Sequence, residues 1–227
     1  MRTYVSVAID GPAGAGKSTM ARTVAKELGY VYVDTGAIYR TVGYYVHLCG
    51  IGPRDVDGVT RLIDEVNIEI RYSADGLQHM ILNGADVTDE IRTQQMSDYA
   101  SKLSTLKVVR DFLLDVQRDL AKNHNVVMDG RDIGTVVLPK AEVKIYLTAS
   151  AEVRAQRRLL ELQAKGDKKP AFDAVLRDIR QRDERDMNRE IAPLKQAKDA
   201  ILLDTSDLSI EESVAAMKEI IEKRLQK

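Results

Sequence analysis

The residues Gly11, Pro12, Ala13, Gly14, Ala15, Gly16, Lys17, Ser18 and Thr19 follow the order Gly-x4-Gly-Lys-Ser/Thr, a set suited to holding a polyphosphate. Glycines let the main chain turn tightly enough to aim several N–H groups at one anion, and a helix starting near Lys17 adds the positive end of its dipole. Lys17, expected as an exposed loop lysine, would bridge the β- and γ-phosphates of a nucleoside triphosphate, and the Ser18 hydroxyl would ligate magnesium. The pattern carries weight only between a strand and a helix. The apolar run of residues 4–9 and the helical pattern of residues 18–28 supply both.

The loop does not say what receives the phosphate, because GTPases, ATPases and small-molecule kinases all carry it. A switch GTPase would add a base-reading Asn-Lys-x-Asp segment, and the sequence has none. Asp129 ends a later apolar run, where a carboxylate suits either a water-mediated hold on magnesium or a plain loop position. Three further segments are rich in charge: Asp34-Thr35-Gly36-Ala37-Ile38-Tyr39-Arg40, Asp129-Gly130-Arg131-Asp132-Ile133-Gly134-Thr135, and Arg182-Asp183-Glu184-Arg185-Asp186-Met187-Asn188-Arg189. Guanidinium forks bind the spread charge of a phosphoryl transition state bidentately. On a helix, Arg182, Arg185, Asp186 and Arg189 share a face opposite Phe172, Leu176 and Ile179. An exposed helix laced with pairs such as Arg182 and Asp186 has the same pattern, but Arg185 and Arg189 repel at i,i+4 unless an anion sits between them. Arg110 shares its helix with Arg118 and reads equally as surface charge, and Ser101 alone reads as structural. His47, His79 and His124 lack metal-ligand spacing.

The elements that would position these groups follow from periodicity. Short runs rich in β-branched residues at 4–9, 30–33, 125–128, 143–147 and 200–203 read as buried strands. Helical patterns at 18–28, 37–48, 106–122, 151–164, 172–191 and 210–225 fall between or after them. That alternation makes an α/β fold with a parallel sheet flanked by helices. Residues 67–88 break the rhythm: alternation at period two, an Asp75-Gly76 turn and a return strand predict a small antiparallel β insert. Residues 165–170 read as a helix-to-helix loop or as the tip of a mobile lid.

With 227 residues and 44% hydrophobic content the chain can bury one core with inserts. Its 34 basic and 35 acidic residues give a net charge of -1, so no overall basic field favours a nucleic acid polymer or an anionic membrane. A single Cys49 makes no internal disulfide, and no signal peptide or long apolar segment is visible, so a cytoplasmic location is expected.

The four charged segments, their order, and the long insert between the second and third strands resemble bacterial cytidylate kinases over essentially the whole chain. The resemblance implies a P-loop, adenylate-kinase-like core with a five-stranded parallel sheet, formed by residues 1–39 and 104–227. Residues 40–103 would be a monophosphate-binding insert domain, and residues 154–170 a short lid within the core. It implies transfer of the γ-phosphate of magnesium-bound ATP to CMP, and to dCMP, giving CDP or dCDP and ADP in pyrimidine nucleotide metabolism, with UMP poorer and the chain a monomer. Thr35, Tyr39 and Arg40 match the family's monophosphate motif, with Arg40 on the acceptor phosphate and Tyr39 lining the cytidine pocket. Where the family pattern carries Ser, this chain has Thr35, which keeps the hydroxyl. Ser101, Arg110 and Asp132 match positions that read the cytosine edge, Arg131 and Arg189 match phosphate ligands, and Arg182 with Asp186 matches the ribose contacts. Arg154 and Arg158 match the lid arginines. Lys17, Arg131, Arg158 and Arg189 would then be the catalytic charges around the transferring group. No side-chain base is required, because a phosphate monoester with a second pKa near about 6 is already mostly dianionic at neutral pH. Other acceptors on the same architecture (AMP, shikimate, a cofactor precursor) and a regulatory nucleotide-binding module remain as alternatives. The set of acceptor-site arginines counts against the regulatory module.

Overall fold

The computed structural model describes residues 4–164, 166 and 170–226. Strands β1 (Ser6–Asp10), β2 (Val31–Asp34), β6 (Val126–Gly130), β7 (Val143–Thr148) and β8 (Ile201–Asp204) form one sheet in the order β2-β6-β1-β7-β8, with every pairing parallel. Every residue of β1 and β6 is buried, as strands covered on both faces must be. Side chains alternate between the two faces. Val7, Ile9 and Val127 pack with helices α1 (Lys17–Leu28) and α8 (Ile210–Leu225) through Val24, Met217 and Ile221. Ala8, Val33 and Met128 pack on the other face with α2 (Thr35–Leu48) and α5 (Lys107–Asn123) through Ile38, Val42, Val109 and Leu113.

The insert contains more than the predicted hairpin. Strands β3 (Ile68–Tyr72) and β4 (Gln78–Leu82) pair antiparallel around a turn in which Gly76 takes φ 81, and a short β5 (Ala85–Asp86) adds a third strand. Helices α3 (Val56–Ile63) and α4 (Gln94–Leu103) precede and follow these strands in the chain. The insert's Val59, Met80, Leu82 and Ile91 belong to the same apolar cluster as Ala8 and Met128, and α2 runs unbroken past Arg40, so one core continues from sheet to insert. Helices α6 (Ala151–Ala164) and α7 (Phe172–Asn188) pack together through Ala155, Val175 and Ile179. The expected helix over residues 172–191 ends earlier: Arg189 is its C-cap, with φ -63 and ψ 140, and Ala192 has φ 50. Of the predicted lid tip, residues 165 and 167–169 lie outside the described residues. Among the described residues, no helix is long and apolar enough to cross a membrane.

Candidate active site

All five parallel strands run the same way, so the loops after their C-terminal ends gather at one edge, where a cleft of about 1010 Å³ opens. The loop between β1 and α1 forms one wall. Gly11 has φ 154, and a Cβ there would lie 1.9 Å from the Leu147 carbonyl oxygen; Gly16, the N-cap of α1, has φ 88 and no capping side chain. The first-turn amides of α1 therefore have no side-chain cap to compete with an anion. Lys17 is buried rather than exposed as the sequence suggested, with Nζ donating to the Pro12 carbonyl at 2.7 Å. Burial first, and then the neighbouring Arg131, hold its ammonium down to about pKa 7. Ser18 Oγ donates to Asp129 Oδ2 at 3.1 Å, while Tyr32 Oη donates to Asp129 Oδ1 at 2.8 Å. Burial, then the charge of Asp34, push the Asp129 carboxyl up to about 6.

The opposite wall is cationic. Arg40 Nη2 pairs with Asp34 Oδ2 at 3.0 Å, and Arg131 Nε pairs with Asp186 Oδ2 at 2.9 Å. Arg40 Nε and Arg182 Nε are buried with no partner among the described residues. Leaving such a donor unsatisfied costs about 1–3 kcal/mol, more for a charged group, so both N–H groups favour an anion in the cleft. Burial and then Arg131 lower Arg182 to about 10. Although burial pushes Asp186 up, Arg131 and Arg182 hold its carboxyl below the ordinary value. Deeper in, Asp132 accepts from Arg110 through Oδ2 and from Arg189 Nη2 at 3.1 Å through Oδ1. Arg189 also donates from Nη1 to Ser104 Oγ at 3.2 Å. Tyr39 is raised to about 12, chiefly by burial, and lines the same recess as Ser101, whose Oγ is buried without a partner among the described residues.

One cleft thus joins the glycine-rich loop before α1 to Arg40, Arg131 and Arg182 and to a carboxylate held by the guanidinium groups of Arg110 and Arg189. A profile described as cytidylate kinase matches residues 7–223. The chain belongs to the cytidylate kinase family. A cytidylate kinase from Caldicellulosiruptor saccharolyticus is 49% identical over 96% of each chain. One from Carboxydothermus hydrogenoformans is 52% identical over 95% of this chain and 96% of that one. Among solved structures, a shikimate kinase from Bacteroides thetaiotaomicron matches at 16% identity with a TM-score of 0.48, over 96% of this chain and 98% of that one.

The structure of this cytidylate kinase family member places most of the residues anticipated from sequence on the cleft, and departs from expectation at several. Lys17, Ser18, Thr35, Tyr39, Arg40, Ser101, Arg110, Arg131, Asp132, Arg158, Arg182, Asp186 and Arg189 all line it. Thr35, however, spends its hydroxyl on the Asp129 carbonyl at 2.7 Å, tying α2 to β6. Asp186 bonds to Arg131 rather than pairing with Arg182 along an exposed helix, the alternative that its spacing left open. Arg185 is exposed and does not line the cleft; with Arg54, Lys102 and Arg189 it lines a second groove. Arg154 does not face the cleft. It is buried behind the phosphate loop, donating to the Ala149 carbonyl at 2.8 Å and the Ala13 carbonyl at 3.1 Å and pairing with Asp183 at 2.7 Å. Arg158 does face the cleft and reaches across to Gln94 Oε1 of α4 at 3.0 Å.

Sequence reasoning missed several contributors. Arg157 lines the cleft with Leu160, Leu208 and Ile210 and holds the Thr205 carbonyl at 2.7 Å. Asp10, raised to about 6 chiefly by burial, accepts the amides of Ile133 and Gly134 at 2.7 Å each and so fixes the turn that carries Asp132. Asp34 was legible as an N-cap directly before a helix, and it accepts from the Ala37 amide at 2.8 Å.

Proposed function

We propose that this protein transfers the γ-phosphate of ATP to CMP, giving ADP and CDP, with dCMP as a second acceptor. The observation that carries this reading is the meeting of two anion cradles in one cleft: the phosphate loop with Lys17, and the half-buried Arg40, Arg131 and Arg182 with the buried Arg189. Relatives that bear the cytidylate kinase name at about half identity supply the acceptor's base. In the reaction an oxygen of the CMP phosphate bonds to the γ-phosphorus as the bond from that phosphorus to the β,γ-bridging oxygen breaks, and ADP leaves with the bond's electron pair. Positioning and electrostatics suffice, because the acceptor oxygen is already anionic. Gathering the arginines around one cleft places positive charge where oxygens of both substrates must approach.

Ser18 and Asp129 present hard oxygen atoms side by side at the end of the phosphate loop, which fits magnesium; Ser18 would hold the ion directly and Asp129 through water. When bound, magnesium neutralises charge on the donor's phosphates. Residues 1–39 and 104–227 form the body that holds ATP, residues 40–103 the arm that carries the acceptor, and residues 154–170 the lid, within which Arg158 is the cleft-facing arginine. Phosphorus NMR of a mixture of protein, magnesium, ATP and CMP tests the reading: ADP and CDP should appear one for one as ATP disappears. Release of inorganic phosphate alone, or no reaction, would contradict it.

Asp186 places a second expectation here. As the ribose ligand, its carboxylate would accept a hydroxyl, a charge-assisted bond contributing about 1.5–3 kcal/mol. Asp186→Ala should therefore lower kcat/KM for CMP more than for dCMP. Because Arg131 loses its partner in both cases, a common loss is expected beneath the difference. Equal losses would leave Asp186 only the task of holding Arg131.

A further inference from the structure

Strand β2 is an edge of the parallel sheet. Main-chain groups of successive residues face opposite sides of a strand, and Val31 already donates to Asn125 on the β6 side. The polar groups of Tyr32 and Asp34 therefore point outward, toward the insert. There they meet two side chains directly opposite one another in the antiparallel sheet, Tyr72 of β3 and Gln78 of β4. Tyr72 Oη donates to the Tyr32 carbonyl at 3.0 Å. The Asp34 amide donates to Gln78 Oε1 at 2.8 Å, and Gln78 Nε2 donates back to the Asp34 carbonyl at 3.3 Å. Gln78 is buried, lines the cleft, and rests Nε2 against Met80 Sδ at 3.1 Å. Its amide does what a neighbouring strand would do for an edge residue, because it offers an acceptor and a donor together.

Asp34 makes this contact consequential. One carboxylate oxygen caps α2 and the other pairs with Arg40. We infer that Gln78 is a positioning residue for the acceptor phosphate: its amide bridges to the Asp34 main chain, so that docking of the insert sets the Asp34–Arg40 pair. This rests on the CMP reading above. The bridge joins residues far apart in sequence, so an insert displaced from β2 would release Asp34, and Arg40 with it.

Steady-state kinetics and calorimetric CMP binding test the inference on wild type, Gln78→Met, Gln78→Glu and Tyr72→Phe. Methionine keeps the length and removes both hydrogen bonds. Gln78→Met should raise KM and Kd for CMP about five- to tenfold, the range expected for one or two net hydrogen bonds, with KM for ATP within about twofold of wild type. Gln78→Glu should do at least as much, because it keeps the acceptor, loses the donor and adds a negative charge beside Asp34. In an Arg40→Ala background Gln78→Met should weaken CMP binding by less than about twofold, since the bridge acts through Arg40. Should Gln78→Met not fold, Tyr72→Phe, which removes a single hydroxyl, must still raise KM for CMP selectively. An unchanged KM for CMP, equal rises for CMP and ATP, or additive losses with Arg40→Ala would overturn the inference. Absence of CMP turnover in wild type would instead overturn the acceptor reading beneath it.

Discussion

Lys17→Ala should give a folded protein that turns over at about a hundredth to a thousandth of the wild-type rate, because a single preorganised charge on the developing anion contributes about 2.7–4 kcal/mol. The structure adds a reason that the loss should fall on the chemistry. Lys17 is buried, yet its one side-chain hydrogen bond goes to Pro12 of its own loop, and its ammonium is held down to about 7 chiefly by burial. A group desolvated at a cost to its charged form gains most when a polyanion arrives. Removing it takes away an unfavourable burial as well as a packing contact, so thermal stability should change little. Retention of more than about a tenth of the wild-type rate would contradict the assignment, since that corresponds to less than about 1.4 kcal/mol.

Asp132→Asn should collapse the preference for CMP over UMP, mainly through loss of CMP activity. Cytosine presents an exocyclic amine donor beside the N3 and O2 acceptors, whereas uracil presents an O4 acceptor and an N3–H donor. A carboxylate accepts only and a guanidinium donates only. Asp132 toward the amine and Arg110 toward N3 or O2 satisfy cytosine and mispair with uracil, and mispaired buried polar groups can reject an analogue by about 10⁴. Asp132 accepts from both Arg110 and Arg189. One negative charge thus holds Arg110 and Arg189 in one array. The asparagine amide would weaken both pairs while offering a donor to O4, so CMP should suffer in binding and in rate together. An unchanged ratio of kcat/KM for the two acceptors would show that the base is read elsewhere.

How much of this was legible in the sequence depended on how local each contact is. The strand, glycine turns and helix around residues 11–19 were readable because they occupy one short segment, whereas the burial of Lys17 was not. The parallel sheet was readable because each strand is a continuous apolar run. Helix α4 was missed because Met96, Ala100 and Leu103 bury a sparse stripe in an otherwise polar segment. Arg185 misled because it lies about 60° from Arg182 and about 100° from Asp186 around a helix of 3.6 residues per turn, at the edge of the cleft-facing stripe. Arg154 misled for another reason. Its spacing from Arg158 puts both on one face of α6, but the packing of the helix's first turn against the phosphate loop, visible only in three dimensions, decides which of them meets the cleft. Asp10, Tyr32 and Gln78 gave no sequence signal at all, because the groups they hold come from strands and turns distant along the chain. Arg110 and Ser101 were nameable only through the family they resemble.

The most direct test of the account is kcat/KM across CMP, dCMP, UMP, AMP and GMP at saturating magnesium-ATP, followed by coupled detection of ADP. The arrangement of Asp132, Arg110 and the acceptor arginines predicts CMP as the best ribonucleotide, dCMP close behind, UMP well below both, and the purines at background because they present a different edge. Comparable rates with CMP and AMP, or a preference for UMP, would contradict it.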